Sequence, residues 1–167
     1  MDKETIIIKQ SFPIKEYFIA TFNILTNKIV IWFFGVIYFF ILLVFILFLI
    51  AETNKTEILS SSYVTFLYPF FLLFALYIGV RMQLNNPKLK ENILQIISKE
   101  NYCQKGETFE IKYFWNDFIK IEEIKNSFLL YISKKKAIII LKKDLKDNQY
   151  NELKELINSL NIKKSLK

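Results

Sequence analysis

Six lysines crowd the stretch from 134 to 146: Lys134, Lys135, Lys136, Lys142, Lys143 and Lys146. Ammonium groups at this density hold anions rather than break bonds. Near a negatively charged lipid surface each contributes about 1 kcal/mol, an attraction that fades within a Debye length. A solvated sheet edge is the competing reading, because edge lysines also block aggregation. The other reactive residue types are sparse. The chain has no histidine and one cysteine, Cys103, which removes the usual zinc and haem ligands and any internal disulfide. Cys103 therefore reads as a structural thiol. Glu122 and Glu123 are neighbours, and adjacent side chains on a strand face opposite ways. They cannot form a catalytic carboxylate pair and read as a solvated face. Trp115 reads as core packing beneath a helix rather than as a ligand anchor. Neither a nucleophile elbow nor a glycine loop that could cradle phosphate occurs. The sequence assigns no catalytic, cofactor-binding or metal residue, and it predicts a protein that is not an enzyme. With a single arginine, nucleic acid is not an expected partner.

The elements that must position these lysines divide sharply. Of 167 residues, 53% are hydrophobic, and 17 Phe stand against three Gly. Much of that apolar excess lies in two blocks. IVIWFFGVIYFFILLVFILFLI, residues 29–50, is uncharged along its whole length. As a helix it would reach about 33 Å, enough for a hydrocarbon core of about 30 Å. SSYVTFLYPFFLLFALYIGV, residues 61–80, is a second uncharged block with Pro69 near its middle, where a kink is expected. The segment between the blocks carries one lysine. Lys9, Lys15 and Lys28 precede the first block, and Arg81, Lys88, Lys90 and Lys99 follow the second. This distribution predicts two membrane spans, both termini cytoplasmic and a short outer loop. The first block starts too late and runs too long for a secretory signal. The first 80 residues balance five lysines with five acids, so the net charge of +7 falls after them.

Beyond Asn85-Asn86-Pro87 the pattern alternates with a period of two. Thr108–Trp115 sets Phe109, Ile111, Tyr113 and Trp115 on one face, and Ile119 and Ile121 continue it against Lys120 and Glu122. Residues 93–98, ILQIIS, read as an earlier strand. FLLYI (128–132) and AIIIL (137–141) are too short to cross a bilayer and predict a hairpin with a lysine-rich link. Asp147 is placed to cap a final helix carrying Tyr150, Leu153, Leu156, Ile157 and Leu160 at spacings of three and four. Lys163, Lys164 and Lys167 fall at its carboxyl end, where the helix dipole favours cations. TIIIK (5–9) is strand-like, and residues 14–27 read as a helix. The fold class expected is an α+β membrane protein: a two-helix transmembrane hairpin plus a small antiparallel β half-barrel. That half-barrel is pleckstrin-homology-like (PH-like), of about five strands, and capped by the C-terminal helix.

WNDFIKIEEIKNSFLLYISKKKAIIILKKDL, Trp115 to Leu145, resembles the YcxB-like membrane proteins. Members usually place a proline before the basic pair, where this chain has Leu141. The resemblance implies a bacterial two-span protein with a cytoplasmic PH-like C-terminal domain, and it brings no catalytic residues. The expected division is a cytoplasmic strand and helix over 1–28, a transmembrane helix over 29–51, an outer loop over 52–60, a second transmembrane helix over 61–81 and the PH-like domain over 88–167. The expected role is a non-enzymatic binding module in the plasma (inner) membrane, with the six lysines at anionic headgroups. Its partners would be the bilayer and a protein partner or second copy. The alternative is an accessory or immunity-type subunit of a larger membrane complex.

Overall fold

The computed structural model describes residues 5–26, 28–50, 55–146 and 148–166, with the side chains at 28–31, 48–49, 55–66 and 68 left aside. Among the described residues four α-helices and two four-stranded sheets make an α+β protein. In chain order the elements are β1 (Ile6–Lys9), α1 (Ile14–Leu25), α2 (Lys28–Ile50), α3 (Lys55–Leu84), β2 (Leu94–Ile97), β3 (Asn101–Lys105) and β4 (Glu110–Phe114). There follow β5 (Lys120–Glu123), β6 (Ser127–Ser133), β7 (Lys136–Leu141), α4 (Gln149–Ser159) and β8 (Lys164–Ser165). Residues up to Ile24 and from Val80 onward form one compact unit, and 25–79 form a second.

In the first unit the strands lie in the orders β1-β2-β3-β4 and β7-β6-β5-β8. About five strands were expected, in one small antiparallel sheet. There are two sheets, and β8 pairs parallel to β5. TIIIK does join: Ile7 lies opposite Ile96 in the antiparallel β1–β2 pair.

The continuous apolar runs of β6 and β7 follow from burial on both faces, which removes the need for a polar row. Phe128, Leu130 and Ile140 share one core with Ile6, Ile8 and Ile97 of the other sheet and with Leu153 and Ile157 of α4. Leu129, Tyr131, Ile139 and Leu141 point the opposite way, into a cluster with Tyr17 and Ala20 of α1 and with Val80. Burying side chains of this kind contributes on the order of 2 kcal/mol each. The strand predicted over Thr108–Trp115 is shorter. Ile111 and Phe114 are 40% and 55% exposed, because β4 is the last strand of its sheet. Trp115 has left the strand for a 3-10 turn, and its ring is buried.

At α4, Leu153 and Ile157 face the core as their spacing requires. Asp147 lies outside the described residues, and Asn148 occupies the N-cap position without a side-chain cap. Lys164 does stand at the carboxyl end, where Nζ donates to the carbonyls of Ile157, Asn158 and Leu160 at 3.2, 2.6 and 2.8 Å. Lys167 is outside the described residues.

In the second unit, α2 carries Phe33, Phe34, Phe39 and Phe40 exposed, and α3 carries Phe70, Phe71 and Phe74 exposed with Pro69 inside the helix. Among the described residues no helix is long and apolar enough to cross a membrane.

Candidate functional site

The β6–β7 hairpin splits the six lysines into two groups. Its turn is Lys134-Lys135, with Lys136 opening β7 and all three exposed. Lys142 lies past the far end of β7, about 20 Å away at the rise of an extended chain. The six do not form one patch. At that far end Lys143 Nζ lies 4.0 Å from Glu16 Oε1, and Lys146 is exposed.

Lys142 has a different task, which corrects the reading of Glu122-Glu123 as a solvated face. Glu123 is 2% exposed. Its Oε1 accepts hydrogen bonds from Lys142 Nζ at 2.5 Å and Tyr150 Oη at 2.8 Å. Lys154 Nζ lies 3.6 Å from Oε2. The Lys142 ammonium also stands 5.4 Å from the ring centre of Phe128 and 5.5 Å from that of Tyr150. A carboxylate so enclosed costs several kcal/mol to desolvate, and only close opposite charge and hydrogen bonds offset that. The cluster ties β5, the turn after β7 and α4 together. It is a clamp, with its oxygens already engaged, and it offers no free base for catalysis. Partial burial draws the Lys154 ammonium downward, but Tyr150 and the Glu123 charge outweigh it and leave the group above its ordinary value.

The sequence contained the signal for this cluster. The period of two that buries Ile121 places Glu123 on the same face. Lys120 and Glu122 take the other face, 2.7 Å apart, with Tyr131 Oη 3.4 Å from Glu122. Burial, then the neighbouring Glu122, pushes the Tyr131 phenol up to about 12.

Cys103 is buried, and its thiol is raised by burial and then by Glu110, whose Oε1 lies 3.6 Å from Sγ. Trp115 packs in the core with its ring 5.7 Å from Phe118 and donates Nε1–H to Ser98 O at 3.0 Å. Two open clefts of about 260 and 410 Å³ adjoin Lys99 and Ser159. Glu152 and Glu155 line the smaller one, and Trp115 borders the larger. Among the described residues no group of His, Cys, Asp or Glu side chains is placed to hold a metal ion.

Residues 97–157 match the family model described as YcxB-like protein. This segment is a YcxB-like domain. The YcxB-like segment runs from the last residue of β2 to Ile157 of α4, and so includes the hairpin lysines and the whole Glu123 cluster. It spans a little over a third of the chain and stops short of being a closed fold. β1 lies outside it yet supplies Ile6 and Ile8 to its core. Comparison with curated proteins and with solved structures gives no match.

Proposed function

We propose that the chain is a non-enzymatic, membrane-anchored binding module of the plasma (inner) membrane, with both termini cytoplasmic. In this reading α2 and α3 cross the bilayer. The support is the uncharged character of residues 29–50 and 61–80 and the outward Phe side chains of both helices. The folded unit is PH-like, a reading supported by its order of four strands, then three, then a helix. Its ligand is an anionic lipid headgroup, met by the hairpin tip. The observation that carries this is the exposed trio Lys134, Lys135 and Lys136 at the β6–β7 hairpin turn. Lys142 is withdrawn from the contact set by Glu123.

Hydrogen exchange on the full chain in lipid nanodiscs tests the headgroup contact. Amides at 133–136 should be protected in anionic discs relative to neutral ones, and the protection should vanish in Lys134→Glu/Lys135→Glu/Lys136→Glu. With about 1 kcal/mol per lysine at an anionic surface, the three together would slow exchange of an otherwise open turn by roughly a hundredfold. Equal exchange in both lipids would reject it. The Phe-rich helices also favour an accessory or immunity-type subunit docked through them. Co-purification of one stoichiometric partner from mild detergent would support that reading.

A further inference from the structure

Each of the other sheet edges in the folded unit is either partly engaged or short. The outward carbonyl of Ile139 on β7 accepts from Gln95 Nε2 at 3.0 Å, and that of Ile7 on β1 accepts from Gln149 Nε2 at 3.1 Å. β8 is only two residues long, itself a way to blunt an edge. The edge of β4 differs. Gly106 N donates to Phe109 O across the β3–β4 turn, so Phe109, Ile111 and Tyr113 direct their backbone groups to β3. By alternation Glu110 and Lys112 direct theirs outward. Among the described residues no hydrogen bond engages those outward groups. The next outward N–H, of Phe114, is taken by Asp117 Oδ2 at 2.8 Å, which ends the open edge there.

We propose that β4 pairs antiparallel with β4 of a second copy of this chain, about a two-fold axis through Ile111. The sequence Phe109-Glu110-Ile111-Lys112-Tyr113 is complementary to its own reverse. In that register Glu110 faces the second copy's Lys112 in a pair that exchanges both backbone hydrogen bonds, and Lys112 faces its Glu110 likewise. Ile111 meets Ile111, and each Phe109 meets a Tyr113 on the other face. Outward backbone groups can pair only with outward ones, so the register moves in steps of two. A shift either way sets Lys112 against Lys112 or Glu110 against Glu110, which is unfavourable. Charge therefore selects one register and one partner. The result joins two four-stranded sheets into one of eight, a closed isologous dimer.

The test is the oligomeric state of the full chain in detergent, by light scattering, with a thermal melt to show that each variant folds. The wild-type chain should be dimeric. Glu110→Lys alone and Lys112→Glu alone should each weaken the dimer at least about tenfold, because both charge pairs turn repulsive. The double exchange Glu110→Lys/Lys112→Glu should restore it. Mixing the two single variants should give a heterodimer, because every pair is then again opposite in sign. In a Cys103→Ser background Ile111→Cys should form an intermolecular disulfide, since facing residues of a non-hydrogen-bonded pair lie about 4.5 Å apart. Glu107→Cys, whose copies fall at opposite ends of the ribbon, should not. A monomeric wild-type chain would overturn the proposal, as would a dimer indifferent to both single reversals. If one reversal misfolds, the Ile111→Cys cross-link decides alone, and its failure to form would also overturn it.

Discussion

The two ends of β7 put the same residue to opposite uses. At the start, Lys134, Lys135 and Lys136 reach solvent from a hairpin turn. Just past the finish, Lys142 folds over two aromatic rings onto a buried carboxylate. Nothing in the lysines themselves decides this. What differs is the neighbour across the sheet: among the described residues no acid pairs with the turn lysines, whereas Lys142 lies beside β5 and α4, which supply Glu123 and Tyr150. A basic cluster in a sequence is thus an upper bound on the cations free to meet a ligand. The buried charges on neighbouring strands must be subtracted first.

The sharpest way to break the contrast is to remove one lysine from each end. Lys142→Met leaves Glu123 buried with a partner missing and should destabilise the folded unit by about 3 kcal/mol, the lower end for breaking a buried ion pair, since Tyr150 and Lys154 remain. Exchange protection of the β6 amides in the full chain measures this. Removing both partners, as Glu123→Leu/Lys142→Met, should cost less than Lys142→Met alone, because no under-paired charge is left buried and Lys154 is 30% exposed. A double variant as damaged as the sum of its singles would mean that the pair is not coupled. Next in size, Tyr150→Phe deletes a hydrogen bond to a charged group and should cost about 1.5 kcal/mol. Lys135→Met, at the exposed end, should stay within about 0.5 kcal/mol.

How much of this could be read beforehand varies from residue to residue. Leu153 and Ile157 declared themselves by helical spacing, and the β6–β7 hairpin by two short apolar runs around lysines. The register of β1 with β2 was hidden, because residues 10–93 separate the partners and no local pattern records a long-range pairing. Ile111 was misread for a related reason. Alternation marks the face a side chain takes, but whether that face is covered depends on the strand's place in the sheet, and among the described residues β4 has no strand beyond it. Glu123 is the instructive miss. Its parity with Ile121 places it in the core, yet charge argues for water. Only the convergence of Lys142, Tyr150 and Lys154, from three other positions along the chain, resolves that conflict.

A last contrast sets Glu123 against a carboxylate near the surface. Glu91 holds the β3–β4 turn, accepting from the N–H of Glu107 at 2.6 Å, the N–H of Thr108 at 2.9 Å and the Thr108 hydroxyl. The turn is tight enough that a Cβ at Gly106 would meet a Phe109 ring carbon at 2.5 Å and Glu91 Oε2 at 2.6 Å. Thr108, through its hydroxyl and then its N–H, holds the Glu91 carboxyl below its ordinary value of 4.5, with Glu107 and Lys88 adding to the effect. A carboxyl lowered by folding stabilises the fold above its unfolded value and loses that contribution as pH falls through the folded one. The Glu107 and Thr108 amides should therefore stay protected at neutral pH and open as pH falls below the ordinary carboxylate value and through the lowered folded one, after allowance for the intrinsic pH dependence of exchange. In Glu91→Gln they should be equally open at both. Were Glu91→Gln to retain the pH-dependent opening, the turn would be titrating through another group, and the proton-sensitive step would lie elsewhere in the sheet.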